Sequence, residues 1–137
     1  MKKFLSQNIR LNLFIITGII IVFSFLKVFT QNNDVNSIGI EDFKKKLKTD
    51  TSLVVLDVRM LSELTGELGK ISKAVNIPVQ ELESRISELN KYKNKNIAVI
   101  CRSGNRSKQG TKILFKNGFK AVNVLGGMAA YRDSGNK

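Results

Sequence analysis

Ile97-Ala98-Val99-Ile100-Cys101-Arg102-Ser103-Gly104-Asn105-Arg106-Ser107 decides how this chain folds. The four apolar residues at its start are uninterrupted, as in a strand buried on both faces. A helical pattern begins at Ser107 and runs to Asn117, where Gly118 supplies a stop. The pattern recurs on either side. Leu53-Val54-Val55-Leu56 and Val122-Asn123-Val124-Leu125 read as two more strands. Glu41–Lys48 reads as a short helix with Phe43 and Leu47 on one face. Pro78 opens a second helix through Leu89, with Leu82, Ile86 and Leu89 aligned. Gly126-Gly127 turns into a last short helix containing Met128, Ala129, Ala130 and Tyr131. Strands alternating with helices predict an α/β fold: a mostly parallel central sheet with helices on both faces. Ligands of such sheets sit beyond the carboxyl ends of the strands. Two chemically loaded segments leave strands there, Asp57-Val58-Arg59 and Cys101-Arg102-Ser103-Gly104-Asn105-Arg106.

The composition narrows the chemistry. Among 137 residues there is no histidine and a single cysteine. A Ser-His-Asp triad, a Cys-His dyad and a His-ligated metal are therefore excluded within this chain. One cysteine forms no intramolecular disulfide and no thiolate metal cage, so neither a metal nor another cofactor is expected. Any resolving thiol must come from another molecule.

Basic residues number 23 against 11 acidic, a net charge of +12. Four of the basic residues, and no acid, fall in residues 1–30. Leu11–Phe29 is 19 residues long, 14 of them apolar, with apolar residues all round a helix. Such a helix spans about 28 Å, close to a bilayer core of about 30 Å. Residues 1–30 are thus read as a transmembrane anchor, with a cleaved signal peptide as the alternative, although no Ala-x-Ala-like site is present. The basic cluster at residues 2–10 predicts a cytoplasmic amino terminus and an exported domain, membrane-attached or, if cleaved, secreted. Residues 31–37 are polar and read as a tether, leaving 38–134 as the folded domain. The stretches 44–48 and 91–95 are lysine-rich, but aromatics are too few and too scattered to make a stacking platform, so no nucleic-acid partner is expected.

The cysteine loop carries the functional reading. A helix N-terminus holds partial positive charge and unpaired N–H groups, which lower the pKa of a nearby thiol. Arg102 and Arg106 add permanent cations. Gly104 allows successive N–H groups to converge on an anion. Ser103, Asn105 or Ser107 is expected to cap the helix. The same residues also fit an inert buried cysteine beside a solvated basic turn.

Residues 101–107 resemble the active-site loop of single-domain rhodaneses, sulfurtransferases that carry sulfur as a cysteine persulfide. Three further landmarks agree in order: Leu56-Asp57-Val58-Arg59; Gly69-Lys70-Ile71-Ser72-Lys73-Ala74-Val75-Asn76-Ile77-Pro78; and Val124-Leu125-Gly126-Gly127-Met128 with Tyr131. The resemblance covers about residues 38–134. It implies that Cys101 takes sulfur from thiosulfate or a similar anionic donor and passes it to a thiol or cyanide. Arg102, Ser103, Gly104, Asn105 and Arg106 would bind the donor and stabilise the persulfide. Asp57 and Arg59 would support the site, read as tying down the loop after the first strand. Lys70, Lys73 and Tyr131 depart from the family's usual His, Gly and Trp, and residues 63–68 are slightly longer than the common version. The rivals are a persulfide carrier or docking module, and a cysteine phosphatase or arsenate reductase, whose loop typically has one more residue than the six from Cys101 to Arg106.

Overall fold

The computed structural model describes residues 35–135. The candidate membrane segment at 11–29 lies outside the described residues. Among the described residues no helix is long and apolar enough to cross a membrane. Five strands form one sheet: β1 (Ser37–Ile38), β2 (Val54–Asp57), β3 (Val75–Asn76), β4 (Asn96–Ile100) and β5 (Lys120–Val124). Their order is β1-β5-β4-β2-β3, and every pairing is parallel. Helices α1 (Ile40–Thr49), α2 (Asn105–Lys116) and α3 (Gly127–Asp133) complete the framework. The parallel α/β architecture matches the sequence reading.

Side-chain alternation along the central strands divides the core in two. Leu56, Ile97 and Val99 face one side, where Leu82, Leu89 and Leu114 of α2 close over them. Val55, Ala98 and Ile100 face the other, against Phe43 of α1 and Met128 of α3. Phe43 meets Tyr131 edge-on, ring centres 6.0 Å apart, so the tyrosine fills the place of the expected tryptophan as packing. Gly110 lets α2 settle closely on the sheet: a Cβ there would stand 3.3 Å from methyl groups of Val58 and Val99.

Two expectations are corrected and one strand is added. Residues 78–89 are not one α-helix; turns over 79–85 lead into a 3-10 helix at Ile86–Tyr92. Ile86 and Leu89 are three apart, and side chains at that spacing eclipse in a 3-10 helix, so the same apolar stripe suits the tighter winding. The tether gives way to the sheet earlier than expected. Ser37 pairs with Asn123, and the Asn36 carbonyl accepts the Asn123 N–H at 2.8 Å. The short strand β3 also went unread. It sets the Asn76 side chain across the loop after β2, where it donates to the carbonyls of Asp57 and Arg59 at 2.8 and 2.9 Å.

Candidate active site

Cys101 stands at the carboxyl end of β4, the central strand, and is only 1% exposed. The chain turns at once into α2, which begins at Asn105, two residues before the expected start. Gly104 is the residue before the helix, with φ +103°, a conformation that L side chains rarely adopt. No side chain caps this helix, contrary to the expectation for Ser103, Asn105 or Ser107. The N-cap residue is Gly104, which has no side chain to offer, and N–H groups around the helix start are directed to the sulfur. The Gly104 N–H donates to Cys101 Sγ at 3.1 Å, and the buried Ser107 hydroxyl donates at 3.4 Å. Burial pushes the thiol pKa up. The Ser107 hydroxyl and the N–H groups of Ser107, Gly104 and Ser103 outweigh it, and the pKa lies below the ordinary thiol value of 9.0.

The other side of the loop is held by α3. The N–H of Met128 donates to the Cys101 carbonyl at 2.8 Å, and that of Ala129 to the Arg102 carbonyl at 3.0 Å. Such close approach requires Gly127, whose φ is +57°. A Cβ there would press on the Cys101 carbonyl and lie 2.6 Å from that of Arg102. The Gly126-Gly127 pair therefore shapes the cysteine loop from a separate segment of chain.

Asp57 and Arg59 form a buried fork. Arg59 Nε donates to both Asp57 carboxylate oxygens at 2.9 and 3.0 Å, and Nη2 donates to Oδ2 at 2.6 Å. Nη2 and Nη1 also donate to the carbonyls of Gly69 and Glu63, at 2.8 and 3.4 Å. The fork thus joins the loop after β2 to the backbone of Glu63 and Gly69. Arg102 is exposed and makes no ion pair among the described residues. Arg106 is paired: its guanidinium grips the Glu63 carboxylate through two bonds of 2.6 and 2.7 Å. Arg106 lies in the first turn of α2, five residues after Cys101. Its pKa is raised first by Glu63 and further by the charge on Cys101. Sequence reasoning missed Glu63, which lies 43 positions from its partner and carries no local signal. Asn105 is exposed at the first turn of α2, and Lys70 is exposed on the segment after Gly69.

The loop gathers a buried, activated thiol, a ring of main-chain donors and two arginines, an arrangement suited to a sulfur anion. A model of the rhodanese-like domain matches residues 40–134. The chain belongs to the rhodanese-like family. A rhodanese-related protein of Thermoplasma volcanium is 35% identical, with a TM-score of 0.65 over 73% of this chain and 93% of that one. YtwF of Bacillus subtilis, provisionally named a sulfurtransferase, is 37% identical over 72% of this chain and 91% of its own length. YrkF of the same organism, provisionally named a sulfur carrier, is 42% identical over 70% of this chain, which spans half of that relative's length. These relatives support a sulfur-transfer role for the rhodanese-like domain. Lys73, where the family usually has Gly, sits at φ +62°, a conformation glycine would adopt freely.

Proposed function

We propose that this protein is a sulfurtransferase that moves sulfane sulfur from thiosulfate or a similar donor to a thiol or cyanide through a persulfide on Cys101. The observation that carries the reading is the convergence of Gly104 N–H and Ser107 hydroxyl on Cys101 Sγ. The Cys101 thiolate attacks the outer sulfur of thiosulfate. A new S–S bond forms, the donor S–S bond breaks, and sulfite leaves with the electron pair. The persulfide anion then occupies a cradle of preorganised N–H dipoles. Arg102 and Arg106 orient the donor, and Ser103, Gly104 and Asn105 shape the loop. Asp57 and Arg59 hold the neighbouring loop. Transfer to the acceptor returns Cys101 to the thiolate. With thiosulfate and cyanide the full chain should release thiocyanate. Release of phosphate from an aryl phosphate without thiocyanate would overturn the assignment.

A carrier role is the second reading, favoured by the name of YrkF. A carrier would gain one sulfur on Cys101, seen by mass spectrometry, yet turn over slowly. We place the domain outside the cytoplasmic membrane, anchored through residues 11–29, on the basic cluster at residues 2–10. Labelling of Cys101 by an impermeant thiol reagent only after permeabilisation would refute that placement.

A further inference from the structure

Glu63 is fixed at both ends. Its carbonyl receives Arg59, and its carboxylate accepts the Met60 N–H at 3.1 Å besides the two bonds from Arg106. Both members of the Glu63–Arg106 pair are 30% exposed, so the pair stands at a solvent-facing position rather than sealed in the core. Arg106 belongs to the Cys101 loop, in the first turn of the helix that follows the sulfur. Its positive charge is therefore shared between a resident carboxylate and whatever anion approaches Cys101. Arg102, exposed and without an ion pair among the described residues, is the less committed cation.

We propose that Glu63 sets the charge preference of the sulfur donor: seated on Arg106, it disfavours donors with two negative charges relative to donors with one. The proposal rests on the sulfurtransferase reading above. Coulomb repulsion scales with donor charge, so the second negative charge of thiosulfate feels the carboxylate in addition to the first. An alkyl thiosulfonate has the same outer sulfur and one charge fewer, because a carbon replaces an oxygen. The chemistry is otherwise matched. Cys101 thiolate forms the S–S bond to the outer sulfur, the donor S–S bond breaks, and sulfite or sulfinate departs with the electron pair. Arg106 alone would favour the dianion; Glu63 offsets that advantage. Its carboxyl stays ionised throughout the neutral range, held at about 2 first by the hydrogen bonds from Arg106.

The test uses the full chain, with thiosulfate and methanethiosulfonate as donors and Glu63→Gln and Glu63→Asp as variants. Gln keeps an oxygen to accept from Arg106 and Met60 but removes the charge; Asp keeps the charge. The expected result is that Glu63→Gln raises kcat/KM for thiosulfate about three- to tenfold more than for methanethiosulfonate at low salt. High salt should shrink the difference, and Glu63→Asp should keep the wild-type ratio. A second readout needs no sulfur transfer. Alkylation of Cys101, the only thiol, by anionic iodoacetate relative to neutral iodoacetamide should rise in Glu63→Gln. Equal changes for both donors and both alkylating agents would overturn the proposal and leave Glu63 a loop holder. The same loss of discrimination in Glu63→Asp as in Glu63→Gln would also overturn it. An increased iodoacetate ratio with no sulfur gained from either donor would overturn the sulfurtransferase reading, and the donor claim with it.

Discussion

Removing the Ser107 hydroxyl tests how the thiol is activated. The hydroxyl is buried and stands 3.4 Å from Cys101 Sγ. A hydrogen bond to a charged group contributes roughly 1.5–3 kcal/mol at good geometry. This one is long and shares the sulfur with main-chain donors, so the lower end, about 1.5 kcal/mol, is the expected loss. That corresponds to about one pKa unit, upward, because the thiolate loses a donor while burial continues to disfavour it. The assay is the rate of iodoacetamide alkylation against pH. With one cysteine in the chain, the signal belongs to Cys101, and Cys101→Ser gives the blank. Below the midpoint the thiolate fraction of Ser107→Ala should fall about tenfold. A more basic thiolate is about threefold more nucleophilic, so the net fall is about threefold and the alkaline plateau rises about threefold. The two pH curves should cross. The helix start should survive, because Thr111 bonds the Ser107 carbonyl, not its side chain. An unchanged or lowered midpoint would refute the reasoning and leave the main-chain N–H groups as the sole source of activation.

Glu63 should make stability fall in acid. Its pKa is lowered from 4.5 to about 2 first by Arg106, so its contribution is present above pH 4.5 and lost as pH falls through about 2. Discounted for solvent screening of a partly exposed pair, that contribution is about 1 kcal/mol, and urea melts of wild type and Glu63→Gln should converge at the acid end. Gly127→Ala should destabilise the fold by about 2–4 kcal/mol in chemical denaturation and slow Cys101 alkylation, because its Cβ collides with the carbonyls of Cys101 and Arg102. Lys73→Gly should raise the melting temperature by a few degrees, about 0.5–1 kcal/mol, since relief at φ +62° exceeds the entropy glycine adds to the unfolded chain.

The strands with long apolar runs were legible because burial on both faces leaves no polar residue to blur them. Val55, Leu56 and the run Ile97–Ile100 lie in the core where the pattern put them. The two-residue strands were not legible, since two residues cannot display alternation and Ser37–Ile38 owes its place to pairing with a strand 86 positions away. The spacing of Leu82, Ile86 and Leu89 fits both an α-helix and a tighter turn, so it located the buried face but not the winding. At the site, Cys101 and the loop geometry followed from sequence because strand, glycine and helix are contiguous. Ser107 was visible only as a cap, and Glu63 not at all, because both act across space on groups already claimed by other readings.

Absence of histidine shapes how the cysteine is activated. A histidine base carries a proton that comes and goes near neutral pH. Here the groups that bond Cys101 Sγ are main-chain N–H groups and one hydroxyl, none of which titrates in that range. Their effect depends on position, and position depends on packing. Gly104 takes φ +103° so that its own N–H meets the sulfur, and Gly110 lets α2 lie against Val58 and Val99. Gly127 lets the start of α3 hold the carbonyls of Cys101 and Arg102 from the opposite side. Three glycines in two segments thus do the positioning that an Asp does for a catalytic histidine. The effect is built into the packing of the parallel sheet and its two helix starts, which is how a chain without a histidine can hold its one thiol below the ordinary pKa.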